Sequence, residues 1–245
     1  MLNFRTGSFS ADLLGVSGLA QIAGAVAGGP FAPVTTNGQI TGLAATNWDR
    51  VGGKRMSNVI KVVSDELAGL SVGVMYSLGG TAGDFDNGAG KSAAINFRNG
   101  ETRAAVVYTE QNYAPVNNGH SGITNLLAGA RTKYAHFTVS GIYSEARNTH
   151  TGAKISALAS GVGYDFSPAW NLGGAYTYEN GNELLKNVVI NRAALQLTYK
   201  LSRRTSVYAA GVYRRTNGAY AAETGNIVAS GNIQSVFQLG MMHRF

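Results

Sequence analysis

The chain has 245 residues, enough for one large all-β domain or two small ones. It contains no cysteine, which excludes a disulfide framework and cysteine-ligated metal. No run reaches the roughly 20 apolar residues of a transmembrane helix, and the net charge of +7 is spread along the chain rather than gathered on one face, which argues against nucleic acid as a partner.

Charged residues make up 13%, glycine is abundant at 33 residues, and the mean hydropathy is −0.03. One membrane class fits such averages. In a transmembrane barrel, lipid-facing and lumen-facing residues alternate, so hydropathy cancels along each strand.

Residues 1–56 carry the weakest pattern. Leu2–Ser8 is compatible with one strand. Leu13–Val26 is moderately apolar and, with Arg5 before it, resembles a signal-peptide core, but Asp12, Ser17 and Gln21 argue against that. The preferred reading is a long folded-in loop with a short helix around Leu13–Ala25, ended by Gly28-Gly29-Pro30.

From Ser57 the pattern becomes regular, with period-two segments separated by turn residues. Eleven are predicted: Ser57–Val63, Leu70–Leu78, Lys91–Arg98, Thr102–Glu110, Ile123–Thr132, Ala135–Glu145, Lys154–Phe166, Trp170–Asn180, Asn191–Leu201, Thr205–Arg214 and Ser235–Phe245. Trp170–Asn180 alternates most cleanly, with Trp170, Leu172, Gly174, Tyr176 and Tyr178 opposite Asn171, Gly173, Ala175, Thr177 and Glu179. Thr205–Arg214 is ambiguous because both parities carry tyrosine and valine.

The connections alternate in length. Short ones are expected at Asp65–Gly69, Asn99–Glu101, Thr132–Tyr134, Ser167–Ala169 and Ser202–Arg204. Long ones are expected at Gly79–Gly90, Gln111–Gly122, Arg147–Ala153, Gly181–Ile190 and Arg215–Asn232. Outer-membrane barrels have this rhythm of short periplasmic turns and longer outer loops. Aromatics from Tyr76 to Tyr199 fall near strand ends on the apolar parity, as in an interfacial girdle. The fold class expected is therefore an all-β, antiparallel transmembrane barrel, taken as one domain over residues 1–245.

Catalytic signals are missing. His120, His136, His150 and His243 show no metal spacing, and no nucleophile elbow, P-loop or dinucleotide fingerprint is present. Neither enzyme activity nor a cofactor is expected. On inward parity the basic residues are Lys61, Arg98, Arg103, Arg131, Arg192, Lys200 and Arg214, with Glu179 the main acid. A lumen lined this way, in a chain of net charge +7, suggests a mild anion preference.

Arg50-Val51, Ser57-Asn58-Val59-Ile60-Lys61-Val62-Val63-Ser64 and Gly69-Leu70-Ser71-Val72-Gly73-Val74-Met75-Tyr76 resemble the general porins of β-proteobacteria. Leu201–Tyr208 resembles their last periplasmic turn, and Met241-Met242-His243-Arg244-Phe245 their terminal signature. The resemblance spans roughly residues 48–245. It implies a homotrimeric, water-filled diffusion channel for small ions and hydrophilic solutes. The location implied is the outer membrane of a Gram-negative bacterium, among outer-membrane lipid and lipopolysaccharide. The insertion machinery would read Phe237, Leu239, Met241, His243 and Phe245. The family barrel has 16 strands, so eleven clear strands plus a doubtful Leu2–Ser8 suggest an N-terminally shortened chain, with residues 9–56 as the constriction loop. The resemblance puts Asp12 and Asp49 on that loop with Arg50, Lys54 and Arg55, opposed by a basic wall with Lys61, Arg98 and Arg103. Two other readings remain: a substrate-specific outer-membrane channel, and a secreted or surface all-β adhesin using the loops 111–122 and 215–232.

Overall fold

The computed structural model describes residues 58–114, 116–217, 223–224 and 227–243. The expected strand Leu2–Ser8, the helix around Leu13–Ala25 and the loop 9–56 lie outside the described residues.

The first four strands are β1 (Val59–Val63), β2 (Leu70–Ser77), β3 (Gly90–Asn99) and β4 (Thr102–Asn112). Then come β5 (Gly122–Tyr134), β6 (Phe137–Asn148), β7 (Lys154–Asp165) and β8 (Trp170–Gly181). The series continues with β9 (Val189–Lys200) and β10 (Thr205–Thr216). A two-residue pair, β11 (Glu223–Thr224) and β12 (Ile227–Val228), sits in the last long connection before β13 (Ile233–His243).

All but that small pair form a single 11-stranded sheet in the order β1-β2-β3-β4-β5-β6-β7-β8-β9-β10-β13. Every neighbouring pair is antiparallel. Strands β2 to β10 thus pair on both sides, the arrangement a hydrocarbon solvent requires, while β1 and β13 each pair on one side among the described residues.

The predicted length rhythm of the connections is present, with one boundary displaced. The expected turn at Thr132–Tyr134 is strand, and the chain reverses at Ala135-His136, with Tyr134 opposite Phe137. Thr132 and Tyr134 are good strand formers. Ala135 takes the left-handed conformation (φ 52°) that a two-residue hairpin needs. No glycine marks that position, so the sequence points elsewhere.

The two faces differ as the alternation requires. On β9, Leu195 is 59% exposed while Arg192, three residues away on the opposite face, is 4% exposed. Outward residues include Val72 and Val74 on β2, Leu158 and Val162 on β7, and Tyr176 and Tyr178 on β8, all exposed. The aromatics form two outward belts. Near the short turns, Tyr164 packs against Phe137 (centroids 4.7 Å) and Phe166 (4.8 Å), and Trp170 against Tyr199 (4.5 Å). Near the long connections, the Tyr108 and Tyr143 hydroxyls each donate to a carboxylate, Glu110 and Glu145. Trp170 to Tyr178 is eight residues along β8, about 27 Å of strand before tilt, which suits an apolar band about 25 Å tall.

Strand β10, undecided from its sequence, turns Val207, Ala209 and Tyr213 outward, and Tyr208, Ala210, Val212 and Arg214 inward. Its register with β13 is fixed by two aromatic-over-glycine contacts. The Tyr208 ring crosses the face of Gly240 and its hydroxyl accepts from Gln238 Nε2 at 3.1 Å, while Phe237 covers Gly211 on the other face.

The inward face is not polar throughout. Ala94, Ala105, Val107, Leu127, Ile142, Ala157 and Ala159 form one buried apolar cluster on β3–β7. A second, with Tyr113, Val116, Ile123, Ile155, Leu185, Val188 and Ile190, ties the long connections 113–121 and 182–188 to the strands beneath them.

Two outcomes test this architecture. Leu195→Arg on the outward face is expected to cost about 2–4 kcal/mol, as for arginine at the bilayer midplane, read as a lower urea midpoint in lipid vesicles; a shift under half of that would speak against a lipid-facing β9. At Gly122 a Cβ would run into the Gln111 carbonyl, whereas at Gly141 it meets only the Ala159 oxygen at 3.9 Å. Gly122→Ala is therefore expected to destabilise by about 1–3 kcal/mol, and Gly141→Ala to leave the midpoint in place.

Candidate functional site

The polar residues converge on the inward face, and hydrogen-bond register places them. Toward the long connections lies a neutral row: Ser92 Oγ meets Thr109 Oγ1 at 2.9 Å, and Asn125 Nδ2 donates to Ser144 Oγ at 3.1 Å. All four are buried. Ser92 and Thr109 are register partners, as are Thr109 and Asn125.

Two groups of arginines occupy different arcs and different ends of the wall. On β9 and β10, Arg192 and Arg214 are register partners near the long connections, 4% and 1% exposed. Arg192 Nη2 donates to Glu179 Oε1 at 2.6 Å, with both side chains buried. Charge-assisted contact at this distance compensates two desolvated charges. On β3, β4 and β5, Arg98 pairs in register with Arg103, and Arg103 with Arg131. These lie toward the short turns: Arg98 is one residue from the end of β3, and Arg103 one from the start of β4.

Sequence parity placed Lys61, Arg98, Arg103, Arg131, Arg192 and Lys200 on one face, and the register agrees. Lys61 is opposite inward Met75, and Lys200 follows the parity of Arg192. The six are not brought together: Lys61 lies on β1, three sit on β3–β5 near the short turns, Arg192 is near the long connections, and Lys200 ends β9 at a short turn. Asp12, Asp49, Arg50, Lys54 and Arg55 lie outside the described residues, as does Phe245. Phe237, Leu239, Met241 and His243 line the outward face of β13, and His243 Nδ1 is 2.9 Å from Thr205 Oγ1.

Sequence reading missed an ion pair in the same mouth, Lys133 Nζ to Asp165 Oδ2 at 3.0 Å. Lys133 follows Arg131 at the period of a strand, but it falls within the expected turn Thr132–Tyr134. It also missed an outward polar belt above the upper tyrosines, where Lys91 meets Glu110 at 3.0 Å and Lys154 meets Glu145 at 3.5 Å. These residues share the apolar parity, and only their distance from the strand centres lifts them toward the headgroups. Among the described residues the inward parity carries eight cations (Lys61, Arg98, Arg103, Arg131, Lys133, Arg192, Lys200, Arg214) and two anions (Asp165, Glu179).

The antiparallel sheet is a fold that solved outer-membrane proteins share. The anion-selective porin from Comamonas acidovorans superposes with a TM-score of 0.68 at 16% identity, covering 93% of this chain and 66% of that one. In-vitro folded OmpT, an outer membrane protein of Vibrio cholerae, gives 0.54 at 13% identity, with 91% and 72% covered. Salmonella typhi OmpF in complex with daunomycin gives 0.55 at 14%, with 77% and 62% covered. This chain thus spans about two thirds of the length of the first of these structures. At such identities the likeness is one of fold. No curated protein matches the sequence. A profile described as Gram-negative porin matches residues 6–219. The chain belongs to the Gram-negative porin family, whose β-barrels lie in the outer membrane.

Proposed function

We propose that this protein forms a water-filled channel that passes ions and small hydrophilic solutes by passive diffusion, with a mild preference for anions, and that it works as a homotrimer. The observation that carries the reading is the inner wall, with eight cations against two anions among the described residues. Charge rings facing a lumen set ion preference by raising the local concentration of counter-ions. The Comamonas porin is itself anion-selective, which agrees with that sign. The outward face supports the membrane setting, because its valines, leucines and tyrosines are exposed as lipid contacts rather than packed into a core. The role is that of a channel and not of an enzyme.

Reconstitution in a planar bilayer under a potassium chloride gradient is the direct test. Stepwise ohmic conductance is expected, with a reversal potential on the anion-selective side; cation selectivity would overturn the preference, and absence of conductance the channel itself. The buried pair makes a separate expectation. Glu179→Ala leaves Arg192 buried without its carboxylate and is expected to destabilise by about 3–5 kcal/mol. Removing both charges in Glu179→Ala with Arg192→Leu is expected to recover most of that loss, measured by urea unfolding in detergent.

A further inference from the structure

The outward face of β10 carries small side chains between two taller walls. Val207 and Ala209 point outward, and Gly211 is next in their row. On one side β9 sets Tyr199 beside Val207 and Leu197 beside Ala209. On the other side β13 sets Met241 beside Val207 and Leu239 beside Ala209. Trp170, stacked on Tyr199, extends the first wall. Together they enclose an apolar trough of about 590 Å³. Phe237 closes it at Gly211, where an added Cβ would meet the ring at 3.5 Å. Its other end lies at the turn between β9 and β10.

That turn is tightly held and cationic. The Leu201 and Ser202 N–H groups donate to the Thr205 carbonyl, and Ser202 Oγ accepts from the N–H groups of Arg204 and Thr205. Arg203 and Arg204 are both exposed. Among the described residues neither makes an ion pair, and the short turn Ser167–Ala169 carries no acid.

An occupant that suits both features is hydrocarbon along its length and anionic at its head. The trough lies on the lipid face and runs from the Trp170–Tyr199 belt toward the middle of the apolar band. It is one strand wide, enough for an acyl chain, whereas a subunit interface needs about 800 Å² from each partner. The arginines sit just outside the belt, at headgroup depth, where basic residues attract anionic lipid. Guanidinium forks meet phosphate oxygens in bidentate fashion.

We propose that this trough and the Arg203–Arg204 turn form a binding site for one anionic phospholipid of the leaflet at the short-turn end, its acyl chain along Val207 and Ala209 and its phosphate on the arginines. The site needs the membrane setting and is independent of conductance.

Trp170 reports on the trough because it lines it, and Trp48→Phe removes the chain's other tryptophan. The full chain is folded into phosphatidylcholine vesicles doped equally with brominated phosphatidylglycerol or brominated phosphatidylcholine. The phosphatidylglycerol is expected to quench Trp170 with a relative affinity about fivefold higher or more. Arg203→Gln with Arg204→Gln should erase that preference, and Arg203→Lys with Arg204→Lys should keep part of it. Lys91→Gln, at the opposite end of the strands, should leave it unchanged. Ala209→Phe fills the trough and should weaken quenching by both lipids. Equal quenching by the two lipids in the parent chain would overturn the site, as would a preference that survives loss of both arginines or falls equally with Lys91→Gln. Full quenching in Ala209→Phe would overturn the trough as the acyl site. Trp170 shielded from both lipids would place a second copy of the chain there instead.

Discussion

Hydrocarbon offers no partner for a peptide N–H or C=O, and each unmatched group there costs several kcal/mol. The sheet answers this by pairing every strand with the one beside it in sequence, from β1 to β10 and on to β13. Once backbone groups are matched sideways, side chains can point only to the two faces, and each strand becomes a ribbon with two different solvents. The exposed leucines and valines of β2, β7 and β9 follow from this constraint, and so do the polar and charged residues opposite them. The aromatic belts mark where one solvent gives way to the other, with Trp170 and Tyr199 near the short turns and Tyr108 and Tyr143 near the long connections.

Charge on the inner wall is arranged locally as well as in sum. The Glu179–Arg192 contact is buried and matched, so it organises the wall around β8–β10 and contributes little net field. The inward cations on β3–β5, Arg98, Arg103, Arg131 and Lys133, lie at the other end, with Lys133 paired to Asp165. The inward face therefore presents two distinct charged environments rather than one uniform ring. The apolar cluster of Val107, Leu127 and Ile142 lies on the same inward face, beside these charges.

Much of the fold could be read directly. The eleven strands, the alternation of connection lengths and the facing of most residues all come from period two, because the pleat assigns faces by parity alone. The placement of Leu172, Tyr176, Leu195 and Leu197 opposite Arg192 follows from nothing more. The turn after β5 was misplaced, since Ala135 gives no sign that it will adopt a positive φ. Lys133 was lost with it, and with Lys133 the contact to Asp165.

The sequence by itself determined the two-faced strands, the eleven strands of the main sheet and the facing of six of the eight inward cations among the described residues, since each depends on neighbours one or two residues away. Tertiary structure alone decided how strands slide past one another. Register brings Arg98, Arg103 and Arg131 into one row and Arg192 beside Arg214, although these residues are between 5 and 33 positions apart along the chain. It also settled β10, where both parities are apolar and only the fit of Tyr208 over Gly240 and Phe237 over Gly211 tells inside from outside. Parity is a local property of the pleat, whereas register is set by hydrogen bonds and side-chain contacts between strands, which a single strand's pattern does not contain.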